Sequence, residues 1–255
     1  MTPSLRIIFY KLLDILLLRT WHVKKEIREW AKTKGNDTQL LDAGSGFGQY
    51  TYYLASKNKK WSIKAVDVKS DQIEDCRNFF GKIGYEHVNF QIADLTTYIQ
   101  PITYDLIISV DVMEHILEDV KVFENFHQSL KEGGMLLIST PSDQGGSDVH
   151  DHDGEESSFI DEHVRDGYHI EEIQEKLKKA GFSKTKAKYQ YGPPGKISWK
   201  LSMKYPMTML NASKLFFIIL PFYYLLTFPF SLILNIFDVN GNHKTGTGLI
   251  VNAWK

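Results

Sequence analysis

The chain has 255 residues, 43% hydrophobic and 24% charged, enough for one well-buried α/β domain with an elaboration. A formal net charge of −1 removes the electrostatic case for a nucleic-acid partner. A single cysteine, Cys76, excludes an intrachain disulfide and a cysteine-cluster metal site, and suits a reducing compartment. Cys76 falls in a helical pattern and reads as a buried spectator rather than a nucleophile.

From the N-terminus, Leu5 to Leu18 is rich in apolar residues but interrupted by Arg6, Lys11 and Asp14. It lacks the uncharged core and small-residue cleavage site of a secretory signal. An amphipathic helix, packed on the domain or lying on a membrane surface, is expected instead. Two helical stretches, broken near Trp21 and ending before Gly35, precede a regular alternation. Strands are expected near 38–43, 62–67, 87–92, 104–110 and 133–140, with helices near 47–58, 70–83, 115–131 and 169–180. Such alternation indicates a parallel sheet covered on both faces by helices.

Between the first strand and its helix lies Leu40-Leu41-Asp42-Ala43-Gly44-Ser45-Gly46-Phe47-Gly48. Glycines at alternate positions let the backbone bend sharply and lie against a ligand, with the helix N-terminus aimed at the same spot. The second strand ends in Asp67, placed to accept the hydroxyls of a ribose. A dinucleotide fingerprint needs glycine at position 49, where this chain has Gln49. The pattern therefore indicates an adenosine-type cofactor without a pyrophosphate.

Two segments break the rhythm. Ser142 to Ile160 is a long polar loop carrying His150-Asp151-His152-Asp153-Gly154-Glu155-Glu156, and loops of that length are functional or disordered. Leu215 to Phe237 holds no charge in 23 residues but contains Pro221 and Pro229. Its length would permit a membrane crossing. Lys184–Gly192 and Thr247–Trp254 both read as strands, however, so the run must leave and return on the same side. An interfacial hairpin bent at the two prolines meets both demands; a helical subdomain facing the core or a dimer partner is the alternative. Lys196, Lys200, Lys204 and Lys214 precede the run and could meet anionic headgroups. The expected organisation is a helical cap (1–35), a core (36–192), an apolar insertion (193–243) and a final strand (244–255).

In order and spacing, the glycine motif with Ala65-Val66-Asp67, Ile92-Ala93-Asp94-Leu95, Tyr104–Ile116 and Leu130–Pro141 resembles the class I S-adenosylmethionine-dependent methyltransferases. The pattern is closest to the quinone-biosynthesis group, which Phe159–Tyr168 also resembles. The resemblance covers about residues 36–192 and implies a Rossmann-like α/β fold with a seven-stranded sheet whose last strand is antiparallel. It implies S-adenosylmethionine as cofactor and S-adenosylhomocysteine as product. Gly44, Gly46 and Gly48 would form the cofactor turn, and Asp42 would brace it or meet the amino-acid moiety. Asp67 would take the ribose, Asp94 and Leu95 the adenine, and Asp111 would lie beneath the methionine portion.

The acceptor side is less determined. A hydroxyl or amine must lose a proton, for which histidine is suited near neutral pH, whereas an acidic acceptor needs no base. His115 and His163 are the catalytic candidates; His115 alternatively packs under the fourth strand. His150, His152, Arg165 and Tyr168 are candidates for binding the acceptor, with His163 and Arg165 alternatively anchoring the loop. No resident metal is expected, although Asp111, Glu114 and His115 carry suitable donor types. The expected reaction is methyl transfer to a hydrophobic or lipid-like small molecule, with O-methylation favoured, in a cytoplasmic protein peripheral to the membrane through 215–237. The rivals are a non-catalytic cofactor-binding module and a methyltransferase for a sugar or protein acceptor.

Overall fold

Apolar side chains alternate between the two faces of a seven-stranded sheet, and helices cover both faces. A computed structural model of the chain describes residues 2–145 and 164–255. The strands are β1 (Gln39–Ala43), β2 (Ser62–Asp67), β3 (Val88–Ile92), β4 (Tyr104–Val110), β5 (Leu130–Pro141), β6 (Lys184–Gln190) and β7 (Gly248–Trp254). The helices are α1 (Pro3–Leu16), α2 (Leu18–Ala31), α3 (Gln49–Lys57), α4 (Ser70–Lys82), α5 (Asp119–Ser129) and α6 (Ile170–Lys179). They are followed by α7 (Pro193–Trp199), a π-helical turn (Lys200–Lys204), α8 (Tyr205–Ala212) and α9 (Phe216–Asn240). The sheet order is β3-β2-β1-β4-β5-β7-β6, with β7 antiparallel to both its neighbours and the other described pairings parallel.

Period two decides which side chain goes where. Leu40, Leu106 and Ile108 join Val23, Ile27, Leu54 and Phe80 on the face covered by α1 to α4. Leu41, Ile107 and Ile138 join Phe123, Phe126, Ile173 and Leu177 beneath α5 and α6. Between β1 and β4 the chain reverses its direction of travel across the sheet. That crevice, at the carboxyl ends of the strands, is where open α/β sheets bind ligands.

Some boundaries differ from expectation. The N-terminal helices break at Leu17, whose extended backbone (φ −89°, ψ 109°) ends α1, rather than near Trp21. Helix α5 begins at Asp119, after a 3₁₀ turn at Met113–His115, and β5 begins at Leu130. The largest correction concerns the apolar insertion. Helix α9 runs unbroken through Pro221 and Pro229. The carbonyls that these prolines leave unpaired belong to Phe217 and Leu225, both on the exposed face, so no buried acceptor is stranded. The required hairpin exists, but α7–α8 form one arm, α9 the other, and residues 213–215 the turn. Tyr223 and Tyr224 do not point outward; their hydroxyls donate to Leu201 O (2.8 Å) and Ser202 O (2.9 Å) on the π-helical turn.

The hairpin is fixed to the core at one carboxylate. Asp238, near the end of α9, is completely buried. Its Oδ1 accepts from His22 Nε2 on α2 (2.8 Å) and from the Tyr191 amide (3.2 Å), and its Oδ2 from the Gly195 amide in α7 (3.0 Å). His243 Nε2 donates to the Asp238 carbonyl (3.0 Å). A Cβ at residue 195 would lie 2.4 Å from Asp238 Oδ2, so only glycine admits the carboxylate there. Burial pushes the His22 imidazole below its ordinary pKa, against the opposing pull of Asp238. Replacing Asp238 with alanine would leave an imidazole and two backbone amides buried without an acceptor. The expected loss is about 3–5 kcal/mol, read as the shift of the urea midpoint at constant slope. A shift equivalent to less than about 1 kcal/mol would show that the hub is dispensable.

Candidate functional site

The glycine-rich turn is held from both sides. Gly44, Gly46 and Gly48 all have positive φ (83°, 51° and 82°). A Cβ on residue 44 would come within 2.2 Å of Val112 Cγ2, beyond the end of β4, so the close approach at the β1–β4 crevice requires glycine. The Gly46 amide donates to Asp67 Oδ2 (2.8 Å) and the Lys69 amide to Asp67 Oδ1 (2.9 Å). The two sequence motifs are thus one hydrogen-bonded unit. Asp67 keeps acceptor capacity for a ligand, because each carboxylate oxygen carries two lone pairs.

The N-terminal helices complete this turn. Arg6 Nη2 and Tyr10 Oη, both on α1, donate to the Phe47 carbonyl at 2.6 and 2.5 Å. Gln49, which replaces the glycine of the dinucleotide pattern, uses its Nε2 to reach Asp14 Oδ1 (3.0 Å) and Thr20 Oγ1 (3.4 Å). A position read from sequence as a missing glycine therefore ties α3 to α1 and α2. Asp42 is buried and accepts from Thr51 Oγ1 on α3, joining β1 to α3. Burial pushes its carboxyl up to about 7, against the opposing effect of the Thr51 hydrogen bond.

Asp94 lies exposed just past β3, where its Oδ1 accepts from the Thr96 amide and hydroxyl, both at 2.8 Å. Leu95 beside it is a core residue. Asp42, Gly44–Gly48, Asp67, Asp94 and Asp111 thus lie at or just past the carboxyl ends of the adjacent strands β3, β2, β1 and β4.

Asp111 marks the boundary between two halves. Its φ is 52°, its amide donates to Ser139 O (2.8 Å), and its Oδ2 forms an ion pair with Arg19 of α2. Beyond it, over β5, β7 and β6, opens a cavity of about 700 Å³. Its lining includes Arg19, Asp111, Ser139, Thr140, Gln144, Gln190, Tyr191, Lys196, Trp199, Lys200 and Thr247. Tyr191 also has positive φ (53°), and its hydroxyl accepts the Arg19 amide (3.0 Å). A third such residue, Ile102, is in the turn before β4, but two of the three line one cavity, the pattern of strain stored at a functional site. Burial works against the Arg19 charge, but Tyr50, Tyr191 and Glu114 around it prevail and raise its pKa.

The acceptor-side expectations fare unevenly. Tyr168 is completely buried; its hydroxyl donates to Asp119 Oδ2 (2.8 Å), with Met113 O 3.1 Å from the same oxygen. Arg165 pairs with the same Asp119 and donates to Ile116 O (2.8 Å). Burial opposes the Asp119 charge, yet hydrogen bonds from Lys176 and Tyr168, with Arg165 alongside, hold its pKa below the usual range. Arg165 and Tyr168 therefore fasten the segment before α6 to the turn after β4, and neither lines the cavity. Asp111, Glu114 and His115 are not gathered as ligands: Asp111 faces Arg19, and buried Glu114 accepts from Thr140 Oγ1 (3.0 Å). Among the described residues no group of three histidine, cysteine or acidic side chains converges on a metal-sized point. His115, in the 3₁₀ turn, is not part of the cavity lining. His150, His152 and His163, with most of the long loop, lie outside the described residues. Arg19, Gln190 and Tyr191 are missed in the sequence; no local motif marks them, since the cavity assembles them from α2, β6 and the β6–α7 junction.

A methyltransferase-domain family model matches residues 34–195, more than half of the chain, and the chain belongs to that family. It is 31% identical over 147 residues to phosphoethanolamine N-methyltransferase 1 of Zea mays, covering 57% of this chain and 28% of that one. Identity to the ubiquinone biosynthesis O-methyltransferase of Rickettsia prowazekii is 29% over 129 residues, 49% of this chain and 50% of that one. The chain thus spans half or less of the length of these curated relatives. In fold it resembles a phosphoethanolamine N-methyltransferase of Haemonchus contortus in complex with phosphomonomethylethanolamine and S-adenosylhomocysteine. The TM-score is 0.61 at 20% identity, over 91% of this chain and 52% of that one.

Proposed function

We propose that this chain transfers a methyl group from S-adenosylmethionine to a small amphiphilic acceptor held in the cavity beside Asp111. The observation carrying this reading is the adjacency of two half-sites: the Gly46–Asp67 unit on one side of Asp111 and the cavity on the other. The residues present suit the cofactor. Ser45 Oγ, within the glycine turn, is buried without a hydrogen-bond partner among the described residues, so the turn carries an unused polar group. Asp67 offers acceptors for ribose hydroxyls, and Val68 beside it, 61% exposed, offers an apolar surface to a base.

S-adenosylmethionine supplies an electrophilic methyl group on a sulfonium. The chain's part is to align and to exclude water. The turn and Asp67 fix the adenosine end, while the Arg19–Asp111 pair closes the border between the halves. The described cavity lining contains no histidine, and its one carboxylate, Asp111, is held by Arg19. An acceptor that arrives already nucleophilic asks least of these residues, which favours O-methylation of an acidic or phenolic group.

The amphiphilic acceptor follows from the surroundings. Helix α9 exposes Phe217, Ile218, Phe222, Leu225, Leu226, Phe230, Ile233 and Phe237, and it is long and apolar enough to cross a bilayer. Its buried C-terminal end returns the chain to β7, which favours lying in the interface over crossing. Helix α1 exposes a second stripe, Leu5, Ile8, Phe9, Leu12 and Ile15. Leu16 and Leu17, at the end of α1, line a small cavity with Trp199 of α7 and with Ser202 and Met203 of the π-helical turn. An apolar surface thus flanks the larger cavity, to which Trp199 and Arg19 also belong.

Calorimetry with S-adenosylhomocysteine tests the cofactor assignment. Asp67→Ala should weaken binding by about 1.5–3 kcal/mol, more than tenfold, and unchanged affinity in the folded variant would remove Asp67 from the site. Flotation with phosphatidylcholine–phosphatidylserine vesicles tests the surface. The native chain should float and a Leu226→Asp, Phe230→Asp variant should not. If the native chain stays below, the exposed face belongs to a contact between two copies instead.

A further inference from the structure

The far end of the cavity offers hydrogen-bond donors with little to receive them. Gln190, at the end of β6, is 1% exposed; its Oε1 accepts from Ser139 Oγ (3.3 Å), and its Nε2 is buried with no partner among the described residues. A buried amide donor left unpaired costs stability comparable to a lost hydrogen bond unless a ligand supplies the acceptor. Lys196 and Lys200, on the first turns of the hairpin, line the same cavity. They are four residues apart on a helix and so lie on one face. Their charge is not balanced within the lining, where Asp111 is the one carboxylate and is paired with Arg19.

We propose that Gln190, Lys196 and Lys200 form a subsite for an oxyanion of the phosphate class, which anchors the acceptor's far end while its nucleophilic atom lies near Asp111. This rests on the methyl-transfer reading for the role of the acceptor, but the subsite stands on its own residues. The span suits such a ligand. Gln190 Oε1 accepts from Ser139 Oγ (3.3 Å) and the Asp111 amide donates to Ser139 O (2.8 Å), so one residue of β5 separates the subsite from Asp111. A small molecule spanning the two fits a cavity of about 700 Å³, within the ordinary size range for small-molecule sites. Two donor types share the work: two mobile ammonium groups attract the charge, and a fixed amide orients it. The phosphate belongs either to a soluble ester or to a lipid headgroup at the neighbouring apolar surface.

The test uses the full chain, with and without S-adenosylhomocysteine, titrated calorimetrically with inorganic phosphate and with glycerol 3-phosphate. A parallel arm uses phosphatidylcholine vesicles with and without phosphatidic acid. At least one phosphate probe should bind, and Lys196→Ala with Lys200→Ala should weaken it about tenfold or more. Gln190→Leu, which adds no charge and keeps the volume, should weaken the same probe several-fold and leave S-adenosylhomocysteine affinity unchanged. If Gln190→Leu does not fold, Gln190→Glu replaces it at equal size and should abolish phosphate binding. Saturation by glycerol 3-phosphate identifies a soluble ester; a Gln190-dependent response to phosphatidic acid vesicles alone identifies a headgroup. Binding of S-adenosylhomocysteine with no phosphate response, or a response that ignores the Gln190 change, overturns the subsite. A Gln190-dependent phosphate response without S-adenosylhomocysteine binding supports the subsite and overturns the cofactor reading instead.

Discussion

Asp238 receives hydrogen bonds from three separate parts of the chain: an imidazole from α2, an amide at the end of β6 and an amide at the start of α7. A buried carboxylate is tolerable only when such donors surround it, and each donor would be equally costly without it. This mutual requirement sets where the apolar hairpin leaves the sheet. It also holds Tyr191 in its left-handed conformation, which a tyrosine would not keep unaided. The Tyr191 hydroxyl then accepts the Arg19 amide, and Arg19 pairs with Asp111. A chain of three contacts therefore connects the root of the hairpin to the border of the cofactor crevice.

The same economy of contacts explains why the N-terminal helices belong with the site. Phe47 lies inside the glycine turn, and its carbonyl is held by Arg6 and Tyr10 of α1. Gln49 adds links to Asp14 and Thr20. Positive-φ glycines bend easily, and a turn made of them needs outside fastening to keep one shape. Helices α1 and α2 provide it and, through Arg19, also furnish a wall of the cavity. Movement of α1 would thus reach the glycine turn through the Phe47 carbonyl. Leu16, at the end of α1, lines a small cavity with Arg19 and Trp199 of the cavity wall, and α1 and α9 each expose an apolar stripe.

How much of this could be read from sequence depended on distance along the chain. The glycine turn, Asp67 at the end of β2 and the alternation of strands and helices in the parallel half come from local patterns, and the structure shows them as expected. The strand at Thr247–Trp254 was legible from its pattern, and its antiparallel placement from the methyltransferase resemblance. Tyr168 suggested a pocket and Arg165 either a pocket or a loop anchor, because charge and aromaticity suit both; the partner, Asp119, distinguishes the two. Pro221 and Pro229 misled because proline breaks buried helices, whereas these lie on the exposed face. Arg19, Gln190 and Asp238 carried no signal, since their meaning comes from partners far away in sequence.

The proposed chemistry is most directly tested by following the methyl group itself. The full chain would be incubated with S-adenosylmethionine carrying an isotopically labelled methyl group and with lipid and aqueous extracts fractionated by charge. The expected result is label in an anionic product from one fraction, with S-adenosylhomocysteine formed in equal amount. Firm binding of S-adenosylmethionine with no labelled product from any fraction would contradict transfer, and would leave the chain a cofactor-binding protein without catalysis.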